Sequence, residues 1–344
     1  MTDTRSAPPS YASPRPRVLV AMAPDVRQLA LPDDVMARLR TLADVMEVDA
    51  DELTAPHTGP LLAEAEILLS GWGCPAIDEH VLSAAPRLRA VVHAAGSVKH
   101  HLTPAVWERG LTVSSAAGAN AVPVADYTLS MVQLAAKRVF RQASAYGKPG
   151  TLWQALNPDF GLHGRTVGVV GASRIGRLVL ERLRAQPVRV LVADPYLDPA
   201  GAQALGAELR DLDKLLGASD IVTLHAPLLP ETTGLLDERR LGLLRDGAIL
   251  INTARGALVD TDALVPHCVS GRIDAVLDVT EPEPLPAGHP LIGLPNVLIT
   301  PHVAGAMGTE VECLGAFAVD EIERFVQGRP LLGAVSAEDL SRIA

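Results

Sequence analysis

The sequence predicts an α/β protein of two doubly wound parallel-sheet domains. Three observations carry this reading. Short apolar runs rich in Val, Ile, Leu and Ala alternate with helical patterns along most of the 344 residues. The runs are continuously apolar rather than alternating, as expected of parallel strands covered on both faces. They also fall into two series separated by one long helical stretch, and the chain is long enough for two cores.

Residues 1–16, MTDTRSAPPSYASPRP, are rich in Pro and Ser and read as a disordered tail. The first series of strands is VLVAM (18–22), MEVDA (46–50), AEILLSG (65–71), LRAVVHAAG (88–96) and LTVSSA (111–116), with helical segments such as DDVMARLRTLADV and DEHVLSAAPRL between them. VPVADYTLSMVQLAAKRVFRQA (122–143) repeats apolar residues at helical spacing and reads as a single linking helix, followed by an irregular stretch over 144–163. The second series has six runs: TVGVVG (166–171), VRVLVAD (188–194), DIVTLHAP (220–227), GAILINTA (247–254), DAVLDV (274–279) and NVLITPH (296–302). The last helical pattern, 310–328, follows the sixth run and is expected to cross back to the first domain. The first domain is therefore expected to be discontinuous, 17–121 with 306–344, and the second to span 122–305.

Composition narrows the function classes. A net charge of −10 argues against nucleic acid or an anionic membrane as partner. No run approaches the roughly 18 apolar residues of a membrane span, and the tail lacks the apolar core of a signal peptide. The three scattered cysteines, Cys74, Cys268 and Cys313, read as free thiols of a reducing compartment, so a soluble cytoplasmic protein is expected.

In an open α/β sheet, ligands bind outside the carboxyl ends of the strands. After the first strand of the second series comes GASRIG, close to the G-x-G-x-x-G dinucleotide fingerprint. Gly171 and Gly176 are in place, Ser173 stands at the middle glycine, and Arg174 and Ile175 open a helix whose unpaired amides suit a pyrophosphate. A serine hydroxyl there can bond a phosphate or cap the helix. The second strand ends in Asp194, 18 residues past Gly176, where an acid meets the adenosine ribose. Pro195 and Tyr196 follow, with no arginine beside them for a 2′-phosphate, so NAD(H) is favoured over NADP.

The later strands end in His225-Ala226-Pro227, in Asn252-Thr253-Ala254-Arg255-Gly256, in Asp278 with Glu283 five residues on, and in Pro301-His302. An arginine, a glutamate and a histidine thus share one rim. That trio suits hydride transfer to a 2-oxo acid. An imidazolium can donate the proton, a carboxylate can fix its tautomer, and an arginine can fork onto the substrate carboxylate and carbonyl. Backbone donors from the first domain are expected at the small-residue turn Ala94-Ala95-Gly96-Ser97. Trp72 either lines the substrate pocket or packs under the hinge. Ser97 and Lys99 are either substrate contacts or surface. His225 reads as structural rather than catalytic. His100 and His101 are adjacent without a third ligand in view, and no metal is expected.

At this point the sequence resembles the NAD-dependent D-2-hydroxyacid dehydrogenases, of the glyoxylate/hydroxypyruvate reductase kind. The resemblance rests on VGVVGASRIGR, VADPY, LHAPLLPETTGLLD, INTARGALVD, AVLDVTEPEPLP and VLITPHVAG, in family order across 166–305. The first domain resembles the family more weakly, through VVHAAGSVKHH and NAVPVADYTL. The resemblance implies a Rossmann cofactor domain and a smaller flavodoxin-like substrate domain. It implies that Arg255 anchors substrate and that His302 and Glu283 are the acid/base pair, with Glu283 rather than Glu281 selected by its spacing from Asp278. It also implies that Asp278 meets the nicotinamide carboxamide, that His225, Pro227, Thr232, Thr253 and Ala254 lie along the cofactor, and that a homodimer forms through about 123–160. Three features depart from the family pattern: Ser173, Asp126 where glutamate is more usual, and the small apolar run VAGAMG after His302. Two other functions remain open on the sequence, an NAD-sensing corepressor-like scaffold and a phosphite- or phosphonate-type dehydrogenase for which Lys99 is the one hint.

Overall fold

A computed structural model describes residues 15–148 and 157–341. The chain forms two compact units. The first runs to Ala116 and resumes over Gly315–Val335; the second comprises Ala117–Leu314 with the residues from Ser336 on. The sequence placed these divisions at 121/122 and 305/306. The helix Ala117–Ala136 is continuous from its first turn, so residues 117–121 go with the second unit. Most of the expected tail, 1–14, lies outside the described residues, as do 149–156 of the expected dimer segment.

The first unit holds β1 (Arg17–Met22), β2 (Asp44–Asp49), β3 (Ile67–Ser70), β4 (Ala90–His93) and β5 (Thr112–Ser115). All pair in parallel, in the order β2-β1-β3-β4-β5, the flavodoxin-like order. Strands β3 and β4 are buried along their whole length, which is why their sequences do not alternate. The helix Val311–Val326 brings the chain back to this unit. Gly315 lies against Ala30, where a Cβ would fall 1.7 Å from the carbonyl oxygen. The fully buried Glu321 accepts from the Ser114 hydroxyl at 2.6 Å and from the amides of Leu332 and Gly333 at 3.0 and 2.9 Å. These donors satisfy a charge that would otherwise be costly to bury, and they fasten the returning segment to β5.

The second unit holds β6 (Thr166–Val170), β7 (Arg189–Ala193), β8 (Glu208–Leu209), β9 (Ile221–Leu224), β10 (Ile249–Asn252), β11 (Asp274–Leu277) and β12 (Val297–Ile299). The sheet is parallel and runs β8-β7-β6-β9-β10-β11-β12, the doubly wound dinucleotide-binding order with one strand added at the β12 edge. This corrects the expected six strands to seven. The strand that was missed, β8, is two half-buried residues at an edge, too short for an apolar run. Two aliphatic clusters, one including Leu224 and Leu250 and the other Val169 and Ile251, form the core.

The single linking helix expected over 122–143 is two helices, Ala117–Ala136 and Val139–Ala145. The break lies at Arg138, which takes a left-handed φ of 54°. Its guanidinium is spent on Asp274 at 2.6 Å and on the Gly247 carbonyl, so side-chain bonding holds a backbone conformation that apolar periodicity does not register. No helix among the described residues is long and apolar enough to cross a membrane.

Candidate active site

The turn after β6 explains its glycines. Gly171 has φ +94°, and a Cβ there would lie 2.6 Å from the Ala226 amide nitrogen. At Gly176 a Cβ would lie 2.0 Å from the Gly171 carbonyl. Neither position can carry a side chain without moving backbone. Ser173 can: it is the N-cap of the helix Arg174–Leu183, with extended backbone, and its hydroxyl accepts from the Gly176 amide at 3.3 Å. The serine therefore replaces the middle glycine as a helix cap. Arg174 and Ile175 form the first turn behind it.

Asp194 accepts from the Ala172 amide at 2.7 Å and from the Tyr196 amide at 2.8 Å, tying the end of β7 to the glycine turn. A cleft of about 740 Å³ opens above these residues, lined among others by Gly171, Ser173, Asp194, Pro227 and Thr232. A glycine cradle closed to any Cβ, a capped helix N-terminus and an acid at the next strand end fit a dinucleotide in shape and charge. Cationic side chains also line this cleft. Arg177 comes from the turn that holds Gly176, and Arg210 and Lys214 come from beyond β7, none of them beside Asp194 in sequence. Arg210 pairs with Glu208, and Lys214 with Asp211 at 3.0 Å.

Thr232 bonds its own turn, donating to the Pro227 carbonyl at 2.6 Å and accepting from the Leu229 amide at 2.8 Å. The His225 ring is buried, with Nε2 bonded to Thr223 at 2.9 Å and Nδ1 without a partner among the described residues. Burial pushes its pKa down to about 3, so it is neutral.

Arg255, Glu283 and His302 follow the ends of β10, β11 and β12. Asn252 shapes the first of these turns, accepting from the Ala254 amide at 3.0 Å and donating to the Arg255 carbonyl at 2.8 Å. A Cβ at Gly256 would lie 2.0 Å from the Thr280 carbonyl, so glycine lets the arginine turn press against the loop that carries Glu283. Burial lowers the half-buried Arg255 guanidinium's pKa, and the Glu283 carboxylate opposes that shift. Thr253 is buried and shares a hydrogen bond with Thr128 at 2.8 Å; Ala254 is buried beside it.

His302 and Glu283 meet directly, Nδ1 to Oε1 at 2.8 Å. With Nδ1–H donated to the carboxylate, the remaining nitrogen, Nε2, is the reactive one. The His302 side chain is 53% exposed and its backbone takes φ +57°, in the left-handed region. Asp278 is buried and its carboxylate is engaged within the protein. It accepts from Thr300 Oγ1 at 2.7 Å and from the Val303 and Ala304 amides at 2.8 and 2.9 Å. Glu281, the competing acid, is exposed, and its carbonyl accepts from the Thr261 hydroxyl at 2.8 Å.

The match that decides the family covers residues 130–304 and is described as D-isomer specific 2-hydroxyacid dehydrogenase, NAD binding domain. The chain belongs to that family. Its second unit is an NAD-binding domain, and the parallel strands of both units are those of such a dehydrogenase. A glyoxylate reductase of Thermofilum pendens is 37% identical over 237 residues, 67% of this chain and 69% of that one. A D-3-phosphoglycerate dehydrogenase of Archaeoglobus fulgidus is 34% identical over 261 residues, 76% of this chain but 49% of that protein. The chain spans about half the length of the phosphoglycerate dehydrogenases it matches. Among solved structures, the TT0316 protein of Thermus thermophilus has a TM-score of 0.73 at 36% identity, covering 93% of this chain and 99% of that one.

In the first unit, the turn Ala94-Ala95-Gly96-Ser97 follows β4 and Trp72 follows β3. Ala95 is buried, Gly96 and Ser97 are half-buried, and Trp72 is 39% exposed. Ser97 Oγ accepts from the Lys99 amide at 3.4 Å. Beneath the turn sits a buried polar cluster that the sequence did not reveal. Ser70 Oγ bonds His93 Nδ1 and His101 Nε2, each at 2.9 Å, and the two rings stack at 4.6 Å. His101 is thus half of this buried pair, while His100 is exposed. The contacts that Tyr127, Thr300, Gly256 and Asn252 make were likewise invisible, because each partner is distant in sequence or lies in a loop.

Proposed function

We propose that the protein is an NAD(H)-dependent D-2-hydroxyacid dehydrogenase acting on small 2-oxo acids, with glyoxylate or hydroxypyruvate as the first substrates to try. The carrying observation is the 2.8 Å pairing of His302 Nδ1 with Glu283, on the rim that also holds Arg255. Bound NADH supplies the hydride. Arg255 binds the substrate carboxylate and polarises the carbonyl, with Gly256 setting its turn close to the Glu283 loop. As charge develops on the carbonyl oxygen, His302 donates the Nε2 proton to it. Glu283 holds the ring in the tautomer and orientation that make this transfer possible and stabilises the imidazolium. In the oxidative direction the same nitrogen accepts the hydroxyl proton. Ala95, Gly96 and Ser97, with Trp72, are proposed to contact the substrate from the first unit.

The reading is supported by the glyoxylate reductase relative, which covers two thirds of both chains. The test is NADH consumption with a panel of 2-oxo acids by the parent protein and by His302→Ala. Loss of turnover by at least about a hundredfold is expected from removing the general acid. Parental rates in that variant would refute the mechanism.

A further inference from the structure

The loop that carries His302 is held by a hydrogen-bond chain that begins on another element. Tyr127 lies on the helix Ala117–Ala136, and its hydroxyl is 2.8 Å from Thr300 Oγ1. Thr300 donates to Asp278 Oδ1 at 2.7 Å. That donation uses the only hydroxyl proton of Thr300, so in the 2.8 Å contact Tyr127 is the donor. Asp278 in turn receives the amides of Val303 and Ala304, the two residues after His302. Two further bonds tie the same segment: the His302 amide donates to the Asp278 carbonyl at 2.9 Å, and the Ala306 amide to Asn120 Oδ1 at 2.8 Å. Asn120 and Tyr127 are seven residues apart and share one face of the helix.

The arrangement has a physical purpose. His302 sits at φ +57°, a left-handed conformation that a non-glycine residue keeps only where its surroundings impose it. The chain Tyr127–Thr300–Asp278 imposes it: each hydroxyl polarises the next, and the buried carboxylate collects both amides beyond the histidine. We infer that Tyr127 and Thr300 are positioning residues that hold His302 in register through Asp278. The inference rests on the proposed role of His302, through which both residues act.

The test compares Tyr127→Phe, Thr300→Val and Thr300→Ser with the parent full-length protein. Two quantities are measured: amide exchange at Val303 and Ala304, and kcat and KM with NADH and the best 2-oxo acid of the panel. Thr300→Val should speed exchange of both amides and lower kcat about tenfold, the value of one hydrogen bond to a buried carboxylate, with KM for NADH unchanged. Tyr127→Phe should act in the same direction by about threefold, since only the polarising donor is lost. Thr300→Ser keeps the hydroxyl and should restore both quantities, which a purely packing role for the threonine methyl would not allow. Unaltered amide exchange in both Thr300→Val and Tyr127→Phe would overturn the inference. So would an unaltered kcat in a protein whose His302→Ala variant is inactive. If His302→Ala keeps its activity, the proposed mechanism fails instead, and amide exchange alone decides whether the chain holds the loop.

Discussion

The buried histidine pair of the first unit makes that unit acid-sensitive in a calculable window. His93 and His101 are 5% and 8% exposed. Burial, and for His93 the neighbouring His101, pushes their pKa values from 6.5 down to about 3 and about 4. Above pH 6.5 both are neutral whether folded or unfolded, and pH has no leverage. Below 6.5 the unfolded chain takes up two protons that the folded unit refuses. Stability is therefore lost as pH falls, by about 1.4 kcal/mol per pH unit per histidine, until the folded values are approached. Between about pH 7.5 and 5.5 the loss is about 1.4 kcal/mol for each histidine, or about 3 kcal/mol for the pair. Carboxylates titrate mostly below this window, so the histidines dominate it.

The assay is urea unfolding at about pH 7.5, 6.5 and 5.5, spanning that window, followed by tryptophan fluorescence; Trp72 and Trp107 both belong to the first unit. His101→Gln keeps an acceptor for the Ser70 hydroxyl and removes one titrating group. It should cut the loss to about 1.4 kcal/mol. A parent whose stability changes by less than about 0.5 kcal/mol over this range, or a variant with the parent's full pH dependence, would refute the reasoning.

Three other perturbations follow from the same geometry. Gly176→Ala places a Cβ 2.0 Å from the Gly171 carbonyl; backbone must shift, at about 1–3 kcal/mol, and NADH titration should show affinity weakened at least tenfold. Ser173→Gly removes the cap from the Arg174–Leu183 helix and should cost only a few tenths of a kcal/mol; NADH affinity gained by orders of magnitude would instead mean that the serine damages the site. Asp274→Ala leaves the Arg138 guanidinium, 11% exposed, without its carboxylate. Thermal and urea unfolding should show a loss of about 3–5 kcal/mol.

Much of this molecule is set by local pattern. Apolar runs specified five strands of the first unit and six of the second; the runs are continuous where a strand is buried on both faces, as in β3, β4, β9, β10 and β11, and are broken by acids in the edge strand β2. The glycines of GASRIG were legible for a related reason. A backbone that must pass within about 3 Å of another admits no Cβ, and that demand is written at one position. The order of Arg255, Glu283 and His302 at successive strand ends was legible too, since parallel topology sends every strand end to one rim.

Only the tertiary structure decided the rest. It split the linking helix at Arg138 through a carboxylate 136 residues away, and it added β8, whose two residues carry no pattern of their own. Of the two roles the sequence allowed the Ser173 hydroxyl, phosphate ligand or helix cap, it showed the cap. It brought Arg177, Arg210 and Lys214 to one cleft. It spent Asp278 on Thr300, Val303 and Ala304, and joined that carboxylate to Tyr127 across the fold. Strands and tight turns depend on neighbours along the chain, so one sequence reports them. Side-chain hydrogen bonds and ion pairs depend on partners that meet only after folding, and outside the motif that carries Glu283 and His302 no spacing in the sequence marks them.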